Sequence, residues 1–239
     1  MASKIPPVNA ALETLENYLM TNHLPANSKI PSERKLCEMW GMNRTTLRIA
    51  VNRLVDEGKL YRKKGAGTYV ADPKWTRNVL GVDSLASSIK LTGIPLTTKI
   101  LSQRIIECNK QISKHLYVPL GNKIFELIRL RKIDGQPCII ETTYIDLEQC
   151  PGFDQYDFEK SSMYSVFENI YHKEIVSGNE KISVTYVTED EANLLDIKAG
   201  APVFFATGVT LTSDNTPLEY YKTLFRADRF RFVSLIKHE

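Results

Sequence analysis

The sequence predicts an α+β protein in two domains: a helical N-terminal domain closed by a small hairpin, then a domain built on one antiparallel sheet. Three observations predict it. Residues 1–72 hold three segments of helical apolar spacing, followed by a short basic run with glycines at its tip. Residues 99–137 and 181–217 repeat one order of strand, helix and hairpin. The charge divides between the same halves: residues 1–78 carry thirteen Lys/Arg against seven Asp/Glu, a net of +6, and the remainder eighteen against twenty-one, a net of −3. A cationic half set against an acidic one is the footprint of nucleic-acid binding confined to one domain. With 239 residues, each domain is long enough to bury its own core.

The first helix is expected from about residue 7 to 23, on the spacing of Val8, Leu12, Leu15 and Leu19. Ser32 caps the second, whose apolar stripe is read as Leu36 and Met39. Gly41 supplies the backbone freedom of a sharp turn, and Asn43 caps a third helix carrying Leu47, Val51, Leu54 and Val55, which stops at Gly58. Lys59 to Lys64 then alternate apolar and basic, Gly65-Ala66-Gly67 turns the chain, and Thr68-Tyr69-Val70 returns. This is a helix-turn-helix with a wing. Arg44 and Arg48 lie four apart near the start of the third helix, on the face opposite its apolar residues. That end of a recognition helix enters the major groove, where arginine reads guanine O6 and N7. Arg34, Thr45, Thr46 and Gly67 are expected near phosphates. Lys63 and Lys64 flank the wing tip, and Gly65 and Gly67 let it approach the minor groove.

Residues 73–80, broken by Pro73, read as a linker, and a short helix is expected over 84–91. The second domain, 81–239, contains the duplication. Each copy opens on a β-rich run and passes through a short helix ending near Gly121 or Gly200. A second strand then turns at Asp134–Pro137 or Asp214–Pro217 into a third that bears Glu141 or Glu219. Two such copies predict one antiparallel sheet with pseudo-twofold symmetry, helices on a face, and a ligand cleft where the copies meet. Thr188 and Glu191 form a capping box for the second copy's helix.

Arg129 and Arg131 alternate on one predicted strand and so share a face. Two guanidinium groups there suit a phosphate or carboxylate clamp, and equally a charged solvent-facing edge that resists aggregation. The position of Glu141 depends on the turn. A two-residue loop at Gly135-Gln136 places it opposite Leu130, pointing away from both arginines, whereas a three-residue loop with Gly135 left-handed places it across from Arg129. Ser162, at an expected helix N-terminus, is either a simple cap or part of an anion site.

Cys37, Cys108, Cys138 and Cys150 are scattered, as are the four histidines, so neither a metal site nor a disulfide framework is expected. No nucleophile–base–orienter set or Gly-rich phosphate loop is present, so neither an enzyme nor a bound cofactor is expected. No apolar run approaches the length of a membrane span and no signal h-region stands at the N-terminus, which reads as a cytoplasmic protein.

Pro31-Ser32-Glu33-Arg34, Asn43-Arg44-Thr45-Thr46-Leu47-Arg48, Glu57-Gly58 and Gly65 to Val70 resemble the winged helix-turn-helix of the GntR family of bacterial transcription regulators, over about the first 72 residues. Residues 81–237 resemble the UTRA domain of its HutC subfamily, whose fold is similar to chorismate lyase. The likeness rests on Arg129 to Pro137, Glu141, Ser162-Met163-Tyr164, Glu191 to Leu195, Ala199 to Pro202, Pro217-Leu218-Glu219 and Arg226 to Arg229. The resemblance implies a homodimeric repressor that binds double-stranded operator DNA through Arg34, Asn43, Arg44, Thr45, Thr46, Arg48, Lys63, Lys64, Gly65 and Gly67. It implies a small anionic effector, a sugar phosphate by preference. Arg129 and Arg131 would grip the anion and Glu141 would accept from effector hydroxyls, with Glu219 as its counterpart and Ser162 and Tyr164 nearby. Phe225 stands where many sugar-phosphate-sensing relatives carry a tyrosine, which leaves the effector open between a sugar phosphate and a carboxylate. A catalytic or purely dimerising second domain is the alternative reading.

Overall fold

The computed structural model describes residues 7–78, 89 and 93–234. The short helix expected over 84–91 lies outside them, Ile89 excepted. The chain divides into two compact units between Trp75 and Thr76.

The first unit holds α1 (Pro7–Thr21), α2 (Glu33–Trp40), α3 (Arg44–Asp56), β1 (Leu60–Lys63) and β2 (Gly67–Val70). Leu15, Ile30, Leu36, Leu47, Val51, Leu54 and Leu60 form its core. Met39 corrects the expected stripe of α2. It is exposed, while Cys37 and Trp40, one residue and one full turn from Leu36, pack on the core instead. Ser32 accepts from the Lys35 amide and Asn43 from the Thr45 amide, each satisfying an orphan donor at a helix start. Gly41, with φ 62°, makes the left-handed turn between α2 and α3.

The second unit centres on six antiparallel strands in the order β4-β5-β6-β9-β8-β7: β4 (Leu96–Glu107), β5 (Lys123–Ile133), β6 (Gln136–Asp146), β7 (Ile175–Tyr186), β8 (Pro202–Thr212) and β9 (Pro217–Arg226). That order is a palindrome of the two copies, joined at β6–β9. The helix of the first copy, α4 (Lys110–Leu116), packs against β9, and the helix of the second, α6 (Glu189–Leu195), against β6. Each copy therefore covers the other's seam strand on one face. The opposite face is covered by α5 (Met163–Asn169) and the 3₁₀ turn Phe153–Gln155, through Phe153, Phe158, Met163 and Phe167 against Phe125, Leu127 and Ile145.

Trp75–Asn78, read as part of a linker, form a strand, β3, that pairs with β10 (Phe230–Val233). The reason is visible at Arg77, whose guanidinium rests on the rings of Phe225 and Phe232 and is paired with Glu180. A segment with those partners is held.

Candidate functional site

In the first unit, Arg44, Thr45 and Arg48 are exposed along one side of α3, and Leu47, Ala50, Val51 and Leu54 are buried on the other. Neither Arg44 nor Arg48 has a hydrogen-bond or ion-pair partner among the described residues, so both guanidiniums are available to a base edge. Arg34 is exposed at the start of α2 and only loosely paired with Glu38, at 3.8 Å. Arg62 ties the wing base to α2 through Glu33 at 3.0 Å. At the wing tip Gly65 has φ 73° and Gly67 φ 124°. Lys63 lies over the Tyr69 ring at 4.9 Å, and Lys64 is exposed beside it. The surface is a cationic helix end next to a cationic hairpin.

In the second unit, Arg129 and Arg131 are not on a solvent-facing edge: they are 3% and 8% exposed, on the second strand of six. Both hydrogen-bond to Glu141, and all of these bonds fall on Oε2, with Arg131 Nη2 at 3.0 Å. Glu141 stands opposite Arg129, although neither loop expected from the sequence occurs. The loop is the two residues Asp134 and Gly135, both at positive φ (49° and 74°), and the register then shifts between Arg131 and Lys132. The mirror-image turn fits the strand twist, and the bulge restores the face.

Glu219 lies on the same face, one seam away. Thr143 Oγ1 donates to its Oε1 at 3.1 Å and the Tyr164 hydroxyl to its Oε2 at 3.1 Å. Ser162 is a cap, accepting from the Ser165 amide at the start of α5 and so holding the helix that carries Tyr164. Phe225 is buried against Phe230 and Phe232.

Burial opposes the charge on Glu141, but Arg129 and Arg131 outweigh it and hold the carboxyl down at about 2. For Glu219, burial and then the charge of Glu141 push the carboxyl up to about 7, against Arg129, Thr143 and Tyr164. Two carboxylates in one site are thus driven apart, one fixed as an anion and one poised near neutrality. On this face two buried atoms, Arg129 Nε and Thr210 Oγ1, lack hydrogen-bond partners among the described residues. Thr210 stands opposite Glu219 across the β8–β9 ladder. No three His, Cys, Asp or Glu side chains are grouped to hold a metal among the described residues, and the four cysteines are free thiols.

Two known families match this chain. The UTRA domain matches residues 92–231, and "bacterial regulatory proteins, gntR family" matches residues 7–70. The chain belongs to the GntR family, in its UTRA-bearing HutC branch. It is 30% identical over 231 residues to the HTH-type transcriptional repressor NagR of Bacillus subtilis, covering 97% of this chain and 95% of the relative. It is 28% identical to a probable fructoselysine utilization operon transcriptional repressor of Escherichia coli, covering 85% and 84%. The fold is that of PhnF from Mycobacterium smegmatis, with a TM-score of 0.70 at 23% identity, over 96% of this chain and 100% of that one. Being a GntR regulator, the protein binds DNA through the winged unit and carries an effector domain behind it. No described helix is long and apolar enough to cross a membrane.

Sequence reasoning missed several members of this GntR protein's polar cluster. Thr143, Thr210, Tyr221 and Glu180 line the same face of the sheet as Glu141 and Glu219. A spacing of two residues from Glu141 and from Glu219 could have flagged Thr143 and Tyr221. Arg77 could not be flagged, because it joins from a segment read as linker.

Proposed function

We propose that this protein is a homodimeric, cytoplasmic repressor that binds a near-palindromic operator and is controlled by a small anionic effector, a phosphorylated sugar by preference. One observation carries the effector reading. Two buried guanidiniums share a single firmly ionised carboxylate, Glu141, and with Glu219 in its neutral form one positive charge inside the domain is uncompensated. Such a charge is costly unless an anion joins it. Arg129 Nε is a spare buried donor for that anion, while Glu141 Oε1 and Glu219 can accept from hydroxyls at the other end of the ligand. The sugar theme is supported by the name of the fructoselysine operon relative. Operator contacts fall to Arg44 and Arg48 for bases, with Arg34, Asn43, Thr45, Thr46, Lys63, Lys64, Gly65 and Gly67 along the backbone.

The test is a thermal-shift panel of hexose 6-phosphates against the unphosphorylated hexoses. The phosphates should stabilise the protein and the parents should not, and Arg131→Ala should abolish the response. Equal stabilisation by the parents would remove the anion site. A carboxylate effector such as a sugar acid is the second reading, favoured by Phe225, whose ring brings no hydroxyl to the site.

A further inference from the structure

Beyond Glu219 the polar cluster continues. Tyr221 follows Glu219 by two residues on the same face of β9, and its hydroxyl donates to Glu180 Oε1 at 2.8 Å. Glu180, on the edge strand β7, is gripped in turn by Arg77 Nη1, at 2.8 and 2.9 Å from its two oxygens. The phenol reaches Glu180 by crossing over β8 at Gly208, which stands opposite both residues in the two ladders. A Cβ at Gly208 would strike the Tyr221 hydroxyl and fall 2.6 Å from the Asn179 carbonyl oxygen. A glycine in mid-strand weakens a sheet unless something must pass close to it, and here the phenol does.

Arg77 belongs to β3, two residues beyond the last residue of the DNA-binding unit. Its guanidinium is held from two sides, by Glu180 and by the faces of Phe225 (5.3 Å) and Phe232 (5.7 Å). The pair is largely buried, so breaking one partner leaves an uncompensated charge. Tyr221 is the next side chain to Glu219 on this face of β9, and the Tyr164 hydroxyl donates to Glu219 at 3.1 Å. A ligand seated on Glu219 therefore meets the near end of a chain whose far end is Arg77.

We propose that Arg77 is the positioning residue through which effector occupancy reaches the operator-binding unit, by way of Tyr221 and Glu180. The proposal rests on the effector reading above for the identity of the ligand, and on the relay alone for the path. A strand anchored to the effector face transmits a displacement to the residue that follows the DNA-binding unit, which a slack linker would absorb. Coupling of this kind is a free energy shared by two sites, so cutting the path lowers the coupling without removing either site.

The experiment uses the full chain, an operator duplex selected in vitro against it, and glucose 6-phosphate and fructose 6-phosphate as probes. In Arg77→Met, binding of the sugar phosphate should stay within about threefold of wild type, while its effect on operator affinity falls from about tenfold or more to below about twofold. Arg77→Lys should restore part of the effect. Tyr221→Phe, which cuts the relay but keeps the ring, should repeat the loss if Arg77→Met folds poorly. Retention of the full effect in Arg77→Met or in Tyr221→Phe overturns the proposal. If neither sugar phosphate stabilises wild type, the effector reading fails instead, and hydrogen exchange decides the relay. Glu219→Gln should then change exchange of the Thr76–Asn78 amides when Arg77 is present and not in Arg77→Met, whereas the same response in both backgrounds overturns it.

Discussion

Glu141 faces Arg129 across the β5–β6 ladder and receives the hydrogen bonds of both Arg129 and Arg131 on one oxygen, Oε2. The pairing neutralises one of two buried positive charges. Glu141→Ala removes that neutralisation. Removing one partner of a buried pair typically costs about 3–5 kcal/mol, and urea denaturation should show a loss of that size. Inorganic phosphate should recover more stability in the variant than in wild type, because it supplies the missing anion. A phosphate response equal to wild type would mean that the arginines relax into solvent.

The same pair shows where sequence reasoning stopped. Helix caps, the wing glycines and the duplicated strand order were legible, because local chemistry decides each: a Ser or Asn oxygen on orphan amides, a left-handed φ, a period of two. The turn residues left the position of Glu141 open, and only the family resemblance favoured the place opposite Arg129 that it takes. That place depends on a bulge between Arg131 and Lys132 that compensates a tight Asp134-Gly135 turn, and a bulge leaves no mark in composition. Arg77 was illegible for another reason. Its partners Glu180, Phe225 and Phe232 come from more than a hundred residues away, and only the assembled sheet brings them together.

Operator reading should depend on Arg48. Its guanidinium is exposed on α3, one turn from Arg44. Arg48→Ala should lose about 1–3 kcal/mol at one base position and relax preference there. The check is the ratio of operator to scrambled-duplex affinity by fluorescence anisotropy; an unchanged ratio places Arg48 away from the bases.

The wing lysines should act on affinity without selecting sequence. Lys63 and Lys64 immediately precede Gly65 and are exposed. Replacing both with Gln should lower the slope of log affinity against log salt by about 1–2 units, since each phosphate contact contributes about 0.9. A slope identical to wild type takes the hairpin out of the interface.

Glu219 makes both stability and binding depend on pH. Its carboxyl is raised from an ordinary 4.5 to about 7 in the folded chain. The stability that comes from keeping it protonated is therefore complete below the unfolded value and is lost as pH rises through about 7. Relative to Glu219→Gln, the unliganded protein should lose up to about 3 kcal/mol between about pH 5 and about pH 8. Ionised Glu219 cancels the positive charge that attracts an anion, so affinity for a phosphorylated effector should fall over the same range in wild type. In Glu219→Gln only the titration of the effector's own phosphate should remain. Parallel pH profiles for wild type and variant would show that Glu219 does not titrate in this window.

Gly208 offers the sharpest separation of packing from relay. The Tyr221 phenol lies over it on the way to Glu180, so Gly208→Ala forces the ring aside or shifts β8 away from Asn179. Overpacking of this kind typically costs about 1–3 kcal/mol. Combining it with Tyr221→Ala removes the obstructing ring, and the double variant should then lose less than the sum of the two single losses, by about 1 kcal/mol or more. Additive losses would place the strain at the Asn179 carbonyl rather than at the phenol. The functional arm runs the opposite way. Gly208→Ala should weaken the effector's influence on operator affinity as Tyr221→Phe does, and Tyr221→Ala should not restore it, because stability returns when the ring is gone whereas the hydroxyl bond to Glu180 does not.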